Sequence, residues 1–170
     1  MGIRKGRLPR IALLVAAALF ASGLMGCGPA PKSLLAVERA EGGGVRLLIA
    51  SCADYDVDYV SVFLDSDAAD ESWRLSNRSS LGAPGQIELF EPLDGWMVDQ
   101  KSNLTELRTP GTYVAKVDGA ITSRGLNGRV SFTLASLEKL DAGKVISGTR
   151  GDQVMGRSDF LKPSPDRCKP

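Results

Sequence analysis

The residues of this chain best suited to chemistry are carboxylates at alternate positions, Asp54, Asp56 and Asp58. Hard oxygen donors of this kind suit calcium. Read as a helix-flanked calcium loop starting at Asp54, however, the stretch has Tyr59 where the turn glycine belongs and Asp65 where a bidentate Glu belongs. What remains is a looser calcium site between the loops of a β-domain. The plainer reading is a solvated acidic loop that blunts strand ends. A second acidic group, Asp94, Asp99 and Glu106, surrounds Trp96 and is the set with an aromatic platform at hand, as a carboxylate-dependent glycoside hydrolase would need. Arg150-Gly151-Asp152 matches the tripeptide read by animal adhesion receptors.

Absences narrow the chemistry further. The chain has no histidine, which removes the usual general base, the commonest transition-metal ligand and any Ser-His-Asp arrangement. Gly143-Lys144 lacks the preceding glycine and following Ser or Thr of a phosphate loop, since Glu138 and Val145 stand there. No catalytic residue is assigned, and no cofactor is expected beyond the calcium candidate.

Three cysteines, Cys27, Cys52 and Cys168, are an odd number for a disulfide framework. The first of them closes a leader. Arg4, Lys5, Arg7 and Arg10 precede an uncharged, mostly apolar run over residues 11–25, the pattern of a signal peptide. That run is shorter than the roughly 20 residues a bilayer span requires. It ends in Leu24-Met25-Gly26-Cys27, which resembles the lipobox of bacterial lipoproteins, with Leu at minus three, Gly at minus one and Cys at plus one. The resemblance implies a signal peptide over 1–26, cleavage before Cys27 and acyl chains on the Cys27 sulfur. It places the protein on the extracytoplasmic face of the cell membrane, with membrane lipid as its first partner. Each buried CH₂ contributes about 0.8 kcal/mol, so two or more chains make a stable anchor. Residues 27–32 form the lipidated tether, and the five residues after Cys27 reach about 17 Å when extended. With Cys27 acylated, Cys52 and Cys168 remain as a pair, which an oxidising compartment favours as a disulfide. The alternative is a buried thiol at Cys52 and an idle one at Cys168.

Cleavage removes four basic residues and no acidic ones, leaving 17 against 20. A weak acidic balance lacks the concentrated basic footprint that nucleic acid demands. The length suits one domain, read here as 33–146, followed by a polar tail over 147–170 pinned by Cys168.

The pattern within that domain is one of short strands. Leu34 to Val37 reads as the first, and Val45 to Cys52, apolar almost throughout, as a strand buried on both faces or central in a sandwich. Tyr59 to Leu64 alternates, setting Val60, Val62 and Leu64 against Tyr59, Ser61 and Phe63. Further strands are expected near Trp73, Gln86 and Trp96. Asp118-Gly119 and Asn127-Gly128 are both two-residue hairpin signals, which suggests a three-stranded meander from Thr112 to Ala135. Their registers conflict, because one turn sets Ile121 opposite Lys116 and the other sets it opposite Leu134. One turn is therefore expected to be loose, or Gly125 to form a bulge.

Thr109-Pro110-Gly111 introduces a strand that begins Thr112-Tyr113, and a glycine turn before a tyrosine resembles the late strand of immunoglobulin-like domains. Ala115 stands where an antibody domain carries cysteine, so the resemblance is one of architecture. Seven to nine short strands make the expected fold all-β, an immunoglobulin-like β-sandwich. Leader and strands together resemble the small sandwich lipoproteins of actinobacteria, with the Cys52 strand leading into Val60-x-Val62 as the shared feature.

The expected function is a non-enzymatic binding or envelope-assembly module for an envelope protein or cell-wall component. The alternatives are a carboxylate-dependent hydrolase of the envelope and a calcium-stabilised adhesin. Mass spectrometry of the mature protein is expected to find an acylated N-terminal Cys27; an unmodified terminus at any other residue would remove the anchor.

Overall fold

The computed structural model describes residues 31–66, 71–78 and 82–170. The stretches expected to be signal peptide, lipobox with Cys27, and tether as far as Ala30 lie outside the described residues, as do Asp67 and Asp70. Ten strands are formed: β1 (Leu35–Arg39), β2 (Val45–Ile49), β3 (Tyr55–Leu64), β4 (Ser72–Asn77), β5 (Gln86–Glu88), β6 (Trp96–Val98), β7 (Thr112–Ile121), β8 (Arg124–Thr133), β9 (Lys144–Ser147) and β10 (Gln153–Gly156). Two short helices, α1 (Leu134–Glu138) and α2 (Arg157–Leu161), complete the order among the described residues.

The strands build two antiparallel sheets, ordered β10-β9-β1-β2-β5 and β6-β4-β3-β7-β8. Taking β1, β2, β3, β4, β5, β7 and β8 as strands A, B, C, C′, E, F and G, one sheet runs A-B-E and the other C′-C-F-G, the connectivity of an immunoglobulin-like sandwich. The tyrosine expected at the start of the late strand makes the corner such folds use. The Tyr113 hydroxyl accepts from the Arg108 N–H at 2.6 Å and donates to the Arg108 carbonyl at 3.1 Å.

β3 begins earlier than its sequence suggested. Tyr55 and Val57 are buried and alternate with exposed Asp56, so the first acidic stretch is strand rather than loop. The inward phase then slips by one, to Val60 and Val62, because the β3–β7 register shifts between Val57 and Tyr59. A β-bulge adds one residue to one strand, and that is the phase change it causes.

The expected meander is not formed. β7 and β8 are one long hairpin in unbroken register from Thr112↔Thr133 to Ile121↔Arg124, and both dipeptides taken for turns lie mid-strand. The turn is Thr122-Ser123, both at positive φ (49° and 68°), as a two-residue hairpin turn requires. Gly125 simply pairs with Ala120. The glycines serve closeness instead. A Cβ on Gly119 would lie 2.0 Å from the Asp56 carbonyl oxygen, and one on Gly128 would lie 2.6 Å from Leu34 Cβ. The register conflict thereby disappears, because Tyr113 faces Phe132 and Ala115 faces Val130 on one buried face.

The stretch from Ser147 onward is more than a tail. It contributes the end of β9, β10 and α2, whose Phe160 is fully buried. Register places Ala36, Leu48 and Val145 on the same sheet face as Glu38 and Arg46, away from the inter-sheet core, yet all three are completely buried. On this side α2 packs on β9 and β10. Arg157 at its start bonds Glu38 on β1 at 3.2 Å and Gln86 on β5 at 3.1 Å, reaching across that face. Glu38, only 5% exposed, is matched by Arg46 as well, and Arg46 also bonds Glu88. A buried carboxylate is tolerated when it is paired in this way. β2 is thus apolar on both sides because both sides are covered, as its composition indicated.

Cys52 and Cys168 form the disulfide expected of them, with a sequence separation of 116. In the chain-entropy model, closing a loop of that length contributes about 4–5 kcal/mol. Arg167, next to it, lies over the Phe160 ring and donates to the Phe160 carbonyl, so the C-terminus closes back over α2.

Gly119→Ala is expected to cost about 3 kcal/mol, the upper part of the overpacking range. Gly125→Ala, with open space around it, should change stability by less than about 0.5 kcal/mol. Equal urea midpoints for the two variants would refute the packing role of Gly119.

Candidate functional site

The outer face of the second sheet carries an open hollow. Hydrogen-bonded register arranges that face in rows. Tyr59 lies between Ser76 and Asp118, Ser61 between Arg74 and Lys116, and Phe63 between Ser72 and Val114. The alternation of β3 therefore turns Tyr59, Ser61 and Phe63 outward, as its sequence indicated, while Val60 and Val62 enter the core.

These rows form a hollow of about 740 Å³ lined by Tyr59, Ser61, Phe63, Arg74, Lys116 and Asp118 among others. Tyr59 is 50% exposed, unusual for a large aromatic on a sheet with no cover. Lys116 Nζ sits 4.8 Å from the centre of the Phe63 ring, a cation–π contact that holds both side chains in place. Arg74 has a loose ion pair with Asp99 at 3.9 Å and is about half exposed, leaving its guanidinium accessible. Aromatic faces flanked by charged and hydroxyl groups of both signs are suited to holding a polar ligand by stacking and hydrogen bonds.

Asp118 is poorly placed to act with the other carboxylates of this face. Asp118 lies beside Tyr59, whereas Asp65 and Glu71 lie at the other end of the hollow, six residues along β3. At 3.3 Å per residue that is roughly 20 Å, beyond the 5–9.5 Å that glycoside hydrolysis uses. Glu71 is in addition ion-paired to Arg108 at 2.9 Å.

The other sequence candidates are scattered. Asp54 occupies the turn before β3 at a φ of 58°, and Asp56 and Asp58 are exposed on the strand itself. Among the described residues no three metal-ligating side chains come together, here or elsewhere. Asp94, Asp99 and Glu106 lie on loops around β6, where Asp99 faces Arg74 and Glu106 faces Arg108. Trp96 is half-buried on β6, while Trp73 is in the core against Phe90, edge to face at 5.6 Å. Arg150 and Asp152 are exposed on either side of Gly151 in the β9–β10 turn.

Arg74 and Lys116 were not among the sequence candidates. Each is a single basic residue in an alternating strand, and only cross-strand register brings them to Ser61. Tyr59 and Phe63 carried a signal, since alternation already set them on the face opposite Val60 and Val62.

At the far end of β3 a second hollow, of about 690 Å³, lies beside the disulfide and is lined by Ala50, Cys52 and Tyr55 among others. Tyr55 is buried there, and its hydroxyl donates to the Leu126 carbonyl at 3.0 Å. Burial, then the nearby charges of Asp118 and Asp58, push this hydroxyl well above the ordinary tyrosine value. Its contribution to stability is intact below about pH 10, where the unfolded tyrosine also keeps its proton, and is lost as the pH rises further. Tyr55→Phe, which removes the bond, is expected to cost about 1–3 kcal/mol at neutral pH. The gap between the parent and Tyr55→Phe should narrow above about pH 10, as read by urea unfolding at pH 7 and pH 11. A gap independent of pH would contradict this account.

Compared with known proteins, the chain is matched by no family model, no curated protein and no solved structure.

Proposed function

We propose that this protein is a bacterial lipoprotein held on the extracytoplasmic face of the cell membrane through Cys27. Its sandwich is a non-enzymatic binding module that takes an envelope component on the outer face of the second sheet. The observation that carries the reading is the exposed Tyr59 in an uncovered hollow, backed by the Phe63–Lys116 pair and flanked by Arg74 and Asp118. Large aromatics with an accessible arginine are the side chains that dominate binding surfaces.

The entry of the chain into the domain supports the anchor's role. Lys32 pairs with Gly128 in a parallel bridge, its N–H donating to the Asn127 carbonyl at 2.9 Å. The tether is thus fastened to β8, the edge strand of the same sheet. A five-residue tether ending there keeps that edge of the sheet within about 17 Å of the lipid surface, with the binding face two strands further on. Reach this short limits the partner to something that itself lies at the membrane.

In cells crosslinked with the anchor intact, the parent protein is expected to retain an envelope component that Tyr59→Ala and Arg74→Ala recover about tenfold less well, as loss of a hot-spot contact implies. Recovery of lipid and abundant envelope proteins alone, unchanged by either variant, would sink the proposal.

A further inference from the structure

A third hollow, of about 490 Å³, lies where the β9–β10 turn meets the edge of the second sheet. Its walls carry two guanidinium groups, Arg129 on β8 and Arg150 in the turn, and three hydroxyls, Thr112, Ser131 and Thr149. We propose that this hollow binds a phosphoryl oxyanion of single negative charge, the chemistry of a phosphodiester headgroup.

The turn is built to present Arg150 here. Gly151, at a φ of 68°, lies so close to β8 that a Cβ would meet the Ser131 carbonyl oxygen at 1.6 Å. Its N–H donates to the Gly148 carbonyl at 3.0 Å, and Gly148 is itself at positive φ, so the turn is tight and seated on the strand. Arg129 is uncommitted. Its Nε is buried without a hydrogen-bond partner, and among the described residues neither Arg129 nor Arg150 has an ion pair. Buried polar donors are nearly always satisfied, so an arginine left open beside a second arginine and three hydroxyls is short of an acceptor. Planar guanidinium groups match phosphate oxygens by paired, charge-assisted hydrogen bonds.

Charge selects the ligand further. Asp65 also lines the hollow, so its formal charge is two positive against one negative. A monoanionic diester neutralises that balance. On the other side of Arg129 a smaller hollow holds Lys116 and Asp118, whose charges offset each other.

Pro31 forms part of the same wall, four residues after Cys27. Four extended residues span about 14 Å, so the headgroup of an anionic phospholipid is the source within reach. This last step rests on the anchor proposed above; the oxyanion site itself does not.

The test uses the full, isotope-labelled chain in neutral-detergent micelles, following the amide resonances of residues 129, 131, 149 and 150. The probes are inorganic phosphate and micelles doped with phosphatidylglycerol or phosphatidylcholine. Phosphatidylglycerol is expected to shift these resonances with an apparent affinity about tenfold above that of phosphatidylcholine, and Arg150→Gln to abolish the difference. Arg129→Gln should act in the same direction, while Arg124→Gln, at the exposed hairpin tip, should not. Arg150 lies in an exposed turn, so its variant keeps the core even if Arg129→Gln fails to fold. Saturable binding of inorganic phosphate with the same arginine dependence, but no lipid preference, would support the site and assign it to a soluble oxyanion. No arginine-dependent shift with any probe would overturn the proposal. The mass of the mature N-terminus reports separately on the anchor, so a missing acyl group and an empty site are distinguishable.

Discussion

The ten-pair ladder between β7 and β8 is the constraint on which the rest of this structure depends. Side chains alternate along a strand, so a slip of one residue would exchange every inward and outward position. In the observed register Tyr113, Ala115 and Val117 enter the core together with Phe132 and Val130, while Lys116, Asp118, Arg129 and Ser131 all face out. Both the Tyr59 hollow and the two-arginine hollow draw residues from that outward set. Gly119 and Gly128 hold the ladder to its neighbours, one against the bulged part of β3 and the other against Leu34. Any larger residue at either place would force the packed strands apart.

The two sheets differ in how their outer faces are finished. On the first sheet, α2 packs on β9 and β10, Ala36, Leu48 and Val145 are fully buried on the outer side, and Glu38, Arg46, Glu88 and Arg157 form a charge network across it. The disulfide and Arg167 fasten the C-terminal segment over that helix. On the outer face of the second sheet Val114 is fully buried at one end, while Tyr59 and Met97 remain half exposed at the other. Burial on one side and openness on the other make the second sheet the natural place for a partner. A binding module needs a rigid support behind its contact surface. The sealed first sheet supplies it.

Much of this architecture was legible in the residues. The alternation of β3 separated Tyr59, Ser61 and Phe63 from Val60 and Val62, the composition of β2 indicated a central or doubly covered strand, and the glycine turn before Tyr113 pointed to the late strand of an immunoglobulin-like sandwich. Misreadings arose where a residue has two uses. Asp-Gly and Asn-Gly commonly make hairpin turns because glycine accepts positive φ; here Gly119 and Gly128 are kept for close approach between elements that are distant in the chain. The stretch from Ser147 onward looked like a polar tail because its apolar residues there, Val154-Met155 and Phe160-Leu161, come as isolated pairs without strand or helix period, yet Phe160 is buried completely.

The sequence by itself determined the local matters: strand alternation, the pairing available to Cys52 and Cys168, and the want of histidine chemistry. The resemblance of Leu24-Met25-Gly26-Cys27 to a lipobox is what the proposed anchor rests on. Only the tertiary structure decided which strands pair, and in what register. Arg74 meets Ser61 beside Lys116, and Arg150 meets Arg129, across intervals along the chain that no local pattern spans. Local periodicity reports which side of its own strand a residue occupies. It carries no information about the neighbour on the next strand, which is set by the summed packing of the core.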